Sequence, residues 1–177
     1  MSYTTLFKVP KSGEIEDYAE FKNAFRGAFN VWSEMAKAFL CMEDLPMSRD
    51  GGMKQVWDLA QSENVPLNDR IVMASTFDRV MVKREHLFLV AAAMDDFANR
   101  YDPGHLPEQA KKLRELAKDE SCFAVCWRQT SVTADMWMEQ TGEIDEYGDI
   151  GYRMYDVSKD NNHWFLFDEI PLPQPAV

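Results

Sequence analysis

Cys122-Phe123-Ala124-Val125-Cys126-Trp127 runs for six residues without a charged or hydroxyl side chain. A strand with one wet face alternates apolar and polar residues, so an unbroken run predicts a strand covered on both faces, inside a sheet. Upstream, Leu106-Pro107-Glu108 starts a helix, with Pro in the first turn where no N–H donor is needed. Ala110, Leu113, Leu116 and Ala117 give that helix one apolar face. Before it, Glu85 to Tyr101 predicts an amphipathic helix with Leu87, Phe88, Val90, Ala91, Met94, Phe97, Ala98 and Tyr101 on its stripe, stopped by Asp102-Pro103-Gly104. Val80-Met81-Val82 and the stretch Arg70 to Phe77, with its apolar run Ile71-Val72-Met73, predict two strands across a turn at Asp78-Arg79.

Further toward the N-terminus, a short helix from Met53 to Gln61 lies between loops at Glu43–Gly52 and Asn64–Asp69. Tyr18, Phe21, Phe25, Phe29, Trp32, Met35 and Phe39 recur at steps of three and four and predict a helix over about 17–42. Glu14, Glu16, Asp17 and Glu20 stand at its start, where the helix dipole favours negative charge. Ser2 to Val9 predicts a strand that ends at Pro10. Downstream of the central run, Asp135 to Met154 is interrupted by Gly142, Gly148 and Gly151 and has no clear periodicity. His163 to Phe167 predicts a last strand, and Pro171, Pro173 and Pro175 an extended tail. Helices and strands mix without a regular βαβ rhythm. The expected fold is α+β, a small, mostly antiparallel sheet packed against three to four helices. It is expected as a single globular domain over residues 1–170, with a Pro-rich tail over 171–177.

The chain has 177 residues and a formal net charge of −11, with 46% hydrophobic residues. That hydrophobic content excludes a predominantly disordered chain, and the charge disfavours direct nucleic-acid binding by phosphate neutralisation. No apolar run approaches the roughly 18 residues that a membrane span needs. Met1 to Lys8 lacks the basic and apolar regions of a signal peptide, and three cysteines are too few for a disulfide framework. A reducing, cytoplasmic setting is expected, which is the host cytoplasm if the chain is phage-encoded.

Motifs that carry chemistry are sparse. No dinucleotide or P-loop fingerprint occurs, and Gly51-Gly52 beside Asp50 reads as a turn and cap. Cys122 and Cys126 on one strand are expected on the same face, about 13 Å apart, too far to share a zinc ion. Asp156-x-Ser158-x-Asp160 begins like a calcium loop, but Asn161 and Phe167 stand where such a loop needs Gly and Glu. No cofactor and no metal is expected. His86, in a helix's first turn, and His105, in a turn, are expected to be solvated, while His163 begins a strand. No nucleophile motif accompanies any of them.

Charge is the uneven feature. Residues 1–133 carry a net of −3 and residues 134–177 a net of −8. Within the second stretch, Asp135, Glu139, Glu143, Asp145, Glu146, Asp149, Asp156 and Asp160 are interleaved with Trp137, Tyr147, Tyr152 and Tyr155. Carboxylates steer a basic partner, and aromatic residues are the anchors enriched at interface hot spots. The expected partner-binding residues are Trp137, Asp145, Glu146, Tyr147, Asp149, Tyr152 and Tyr155, facing a protein with a basic surface.

The segment Ser2-Tyr3-Thr4-Thr5-Leu6-Phe7-Lys8-Val9-Pro10, leading into Phe25-Arg26-Gly27-Ala28, resembles small uncharacterised proteins of bacteriophages and prophages. So do Ser75-Thr76-Phe77-Asp78 and Gly104-His105-Leu106-Pro107. The resemblance implies an accessory protein that binds a host protein, in some cases blocking a defence nuclease with a DNA-like acidic face. The first expectation is therefore a non-enzymatic acidic inhibitor or modulator. A small hydrolase-like enzyme with a dispersed site on His105, His163 and carboxylates is the alternative, and a virion assembly component a third.

Overall fold

The computed structural model describes residues 3–24, 26–45, 52–77, 80–128, 138–144, 146–154 and 164–172. Strand β1 (Tyr3–Pro10) pairs antiparallel with β2 (Glu16–Lys22). Residues 17–22 are therefore strand, and the expected helix over 17–42 is corrected: α1 covers only Ala28–Leu40. The ladder shows what misled the periodicity. Leu6 faces Ala19 and Phe7 faces Asp17, which leaves Tyr18 as an extra, bulged residue. A bulge turns a two-residue step into a three-residue one, so Tyr18 and Phe21 reach the same core at helical spacing. The chain then breaks at a tight corner. Ala24 has φ +39, and a Cβ on Gly27 would lie 2.5 Å from the side-chain oxygen of Asn23.

Helix α2 (Gly52–Asp58) with the 3-10 turn Leu59–Gln61 agrees with the expected short helix. The predicted strand at 70–77 is corrected to helix α3 (Leu67–Ala74). Ile71, Val72, Met73 and Ala74 are all buried, so this helix is covered nearly all round. A short apolar run of that kind carries no period, and β-branched residues tip a local reading toward strand although tertiary burial decides otherwise. Strand β3 (Val80–Lys83), helix α4 (Leu87–Ala98), helix α5 (Leu106–Ala117) and strand β4 (Cys122–Arg128) follow as expected. Beyond them come β5 (Met138–Ile144), β6 (Ile150–Met154), the two-residue β7 (Trp164–Phe165) and α6 (Leu166–Glu169).

The main sheet has the order β2-β1-β4-β3-β7, antiparallel throughout except for the β3–β7 edge pair. The architecture is α+β. The apolar run that contains Cys122 to Trp127 is its middle strand, and Ala124, Val125, Cys126 and Trp127 are fully buried. One face carries Leu6, Phe21, Val80, Val82, Val125 and Trp127 into a large core shared with α1 to α5. The opposite face holds a smaller cluster of Phe7, Val9, Met81, Ala124 and Cys126. A second bulge lies here. Val9 pairs with Ala124 and Pro10 with Cys122, so Phe123 is the extra residue. It switches Cys122 to the helix-covered face while Cys126 stays on the other, correcting the expectation that both thiols share a face. Among the described residues no helix is long and apolar enough to cross a membrane.

Two polar clasps tie the helices together. Asp69 in the first turn of α3 is fully buried and takes two bonds from the Arg100 guanidinium, which also reaches Asp96 at 2.8 Å. Between the corner that precedes α1 and the start of α5, Arg26 donates to the Gly104 carbonyl while the His105 N–H donates to the Arg26 carbonyl at 3.1 Å. A Cβ on Gly104 would sit 2.3 Å from that Arg26 oxygen, and its φ of +54 suits glycine.

Candidate interaction surface

Strands β5 and β6 form a two-stranded sheet of their own. The paired segment Met138–Met154 resolves the stretch that had no clear periodicity: the glycines mark a ribbon and its turn. Ile144 faces Ile150 across the ladder, and Gly148, at φ +87, lies in the connection between them. Glycine takes that conformation without the steric penalty a Cβ would bring. Farther along, Thr141 Oγ1 donates to the Gly151 carbonyl at 3.2 Å. The described ladder is irregular between Gln140 and Ile144, the disturbance that hides a two-residue period.

The end of the ribbon is open to water. Ile144 is 70% exposed, Tyr147 83% and Ile150 46%. Glu143, Glu146 and Asp149 are exposed as well. Each of the three apolar side chains directly follows one of these carboxylates in the chain, in Glu143-Ile144, Glu146-Tyr147 and Asp149-Ile150. From Met138 to Tyr152 there are five acidic residues and no Lys or Arg. Three exposed large apolar side chains thus fall within the seven residues 144–150, which makes this end a candidate contact site.

Of the expected binding residues, Glu146, Tyr147 and Asp149 are brought to this one exposed turn. Tyr152 lies on β6, paired with Gln140, and Trp137, Asp145 and Tyr155 lie outside the described residues. Ile144 and Ile150 were missed by the sequence reading. Their signal was present, because an isoleucine on each side of a Gly-containing acidic turn is the pattern of a hairpin whose arms carry exposed β-branched residues.

The candidate catalytic histidines are placed differently. His105 is not solvated, as expected from its turn position, but 4% exposed. Trp127 Nε1–H, which can only donate, bonds to Gln109 Oε1 at 2.8 Å and so fixes the amide orientation. The Gln109 amino group then donates to His105 Nδ1 at 2.8 Å, and His105 Nε2–H donates to Asn23 Oδ1 at 3.2 Å. Thr4 Oγ1 donates to the same Asn23 oxygen at 2.7 Å. The ring is therefore neutral, with its proton on Nε2 and both nitrogens bonded. Burial pushes its pKa down to about 4, against an opposing pull from Glu108. This chain of bonds joins β1, the corner after β2, α5 and β4, and its geometry is that of a core support. His86 is partly buried, edge-on to Phe167 with ring centroids 4.6 Å apart. His163 and the Asp156–Asn162 segment lie outside the described residues.

No protein family, curated protein or solved structure matches this chain. Among the described residues no group of three or more His, Cys, Asp or Glu side chains could hold a metal ion. Cys126 is deeply buried and Cys122 is pushed up to about 11, chiefly by burial, so neither is a ready thiolate. Gly52 is the first residue of the seven-residue α2, and Gly51 lies outside the described residues. Among the described residues, the ribbon end brings three exposed large apolar side chains together with three exposed carboxylates.

Proposed function

We propose that this protein acts by binding a partner protein with a basic surface, and that it inhibits or modulates that partner without chemistry of its own. The observation that supports this reading is the exposed end of the β5–β6 ribbon. There Ile144, Tyr147 and Ile150 stand in water among Glu143, Glu146 and Asp149. A field of one sign steers an oppositely charged partner and raises its association rate. The proposal takes the acidic and aromatic stretch around residues 135–160 as the binding region, with Trp137, Tyr152 and Tyr155 as further proposed contacts. In the phage-type version of the proposal, the partner is a host defence or nucleic-acid-binding protein that meets a DNA-like acidic face.

The test is affinity capture from a bacterial lysate with the wild-type chain and with the charge-reversed variant Asp145→Lys/Glu146→Lys/Asp149→Lys. A captured protein that is retained at low salt is expected to be lost from the variant. It is also expected to elute near about 0.5 M salt, where exposed charges are screened within a few ångström. Equal capture by both chains would refute the acidic-surface reading.

A further inference from the structure

His105 is the residue that precedes the first turn of α5, and it is bonded to the corner that leads from β2 into α1. Its N–H donates to the Arg26 carbonyl at 3.1 Å, and its Nε2–H donates to Asn23 Oδ1. Beside it the Asn30 side-chain amide donates to the Asp102 carbonyl at 2.9 Å. Phe21 lies against the imidazole with ring centroids 5.4 Å apart. Three features of this site oppose a positive charge on the ring. It stands at the N-terminal end of a 12-residue helix, whose dipole favours anions there. It is buried. Its Nδ1 already accepts from the Gln109 amino group, which Trp127 holds in place, so a second ring proton finds a donor where it needs an acceptor. Glu108 on α5 and Arg26 on the corner are the charged groups that act on the ring, in opposite senses. β1, β2 and β4 present Thr4, Phe21 and Trp127 to this cluster, none of them charged.

We propose that His105 is an acid-released latch: when its ring takes up a second proton it swings out of the core and lets go of the corner at Asn23, Ala24, Arg26 and Gly27, while the main sheet stays paired. The latch does not depend on what the ribbon binds. Its route is set by what surrounds the ring. Trp127 and Gln109 close the inner side and are buried, whereas the Arg26 and Glu108 side chains are half exposed, so the ring reaches water past the corner. Because His105 precedes the helix, its side chain can turn outward with the backbone bonds inside α5 intact. Little else is stranded by the move. Asn23 Oδ1 keeps Thr4 Oγ1 as a donor, and Gln109 Oε1 keeps Trp127 Nε1–H. Ala24, held at φ +39, carries backbone strain that opening the corner relieves.

The experiment is hydrogen–deuterium exchange of the full chain at about pH 7 and about pH 5, corrected for the chemical exchange rate at each pH. It is read on the bonded amides of Arg26, Asn30 and His105 and, for comparison, on those of Val125 and Cys126 in β4. With the ring titrating at about 4 when closed in and near about 6.5 once released, opening of the corner is expected to rise about twentyfold from the higher pH to the lower. At the lower pH the corner amides are expected to exchange at least about tenfold faster than those of β4 and to ignore low urea, the mark of a local opening. His105→Gln, which cannot titrate, is expected to remove the pH dependence. Gln109→Glu is expected to remove it by keeping the latch shut, because its carboxylate can accept from Trp127 Nε1–H and from a protonated Nδ1 together. A merely structural role for His105 would not be altered in that sense. Corner and β4 amides that share one rate and one urea dependence at the lower pH overturn the latch and leave only global unfolding. Corner exchange that is the same at both pH values in the wild-type chain overturns it as well, as does an acid-driven rise that persists in Gln109→Glu. The wild-type rates decide the first two outcomes even where a variant fails to fold.

Discussion

Acid should loosen this fold through one side chain, His105. In the unfolded chain its imidazole titrates near about 6.5, whereas burial holds it at about 4 in the folded protein. Between those values the unfolded state binds more protons, so stability falls as the pH falls. Integrating that difference removes about 2 kcal/mol by pH 5 and about 3 kcal/mol by pH 4. The bonds explain why the folded state resists the proton. A proton on Nδ1 would meet the amino group of Gln109, and turning that amide would set its amino group against Trp127 Nε1–H. The charged groups facing the ring, Glu108 and Arg26, pull in opposite directions and lie 3.6 Å from each other.

His105→Gln provides the comparison, because it keeps a donor toward Asn23 but cannot titrate. The assay is urea unfolding followed by tryptophan fluorescence at about pH 7, 6, 5 and 4, on both chains. Near pH 7 the variant is expected to be about 1–3 kcal/mol less stable, having left the Gln109 amino group without its acceptor. That gap is expected to close by about 2 kcal/mol between pH 7 and pH 5. Carboxylates protonate in both chains and cancel in the difference. A gap that stays constant across the range would refute the claim that His105 is held neutral by its surroundings.

Two further outcomes test the interior. Arg100→Ala leaves Asp69 buried without its guanidinium partner and is expected to cost about 3 kcal/mol in urea unfolding; an unchanged midpoint would show that the clasp does not hold α3 to α4. In the native protein, a thiol reagent is expected to modify Cys41, which is exposed, and to spare Cys122 and Cys126, with all three reacting in denaturant. Reaction of more than one thiol at the native rate would contradict the burial of the two β4 cysteines.

Much of the architecture was legible in the residues themselves. The middle strand announced itself through Cys122 to Trp127 because a strand covered on both faces has no reason to alternate. The helices at 87–98 and 106–117 were legible because each has a wet face and a dry one. The errors have specific causes. Bulges at Tyr18 and Phe123 break the two-residue period, in one case imitating a helix and in the other moving a cysteine to the opposite face. At Ile71 to Ala74 complete burial erases the contrast that periodicity needs. His105 could not be read as buried, because Asn23, which accepts from it, and Trp127, which orients its neighbour Gln109, come from distant places in the chain and meet only once the sheet and α5 are in place. At the ribbon, acidity was visible from composition. The pairing of Ile144 with Ile150 needed the strand register.

The strand order has a bearing on how such a protein can change over generations. The chain leaves the main sheet at Arg128, the end of β4, and returns to it at Trp164, the start of β7. Both strands flank β3, and the pairings of Cys126 and Phe165 with the same Met81 put exit and return at one end of the sheet, about two strand spacings or 10 Å apart. Residues 129–163, which include the ribbon, are thus an excursion whose two ends are already neighbours. Where the two ends of a connection are already held close, doubling its length adds only about 0.6 kcal/mol of closure entropy. Insertions, deletions and new side chains in the ribbon leave the hydrogen-bond ladders of β1, β3 and β4 as they are. The exposed ribbon can change at the tempo of a loop, while the main sheet drifts at the slower pace of a core.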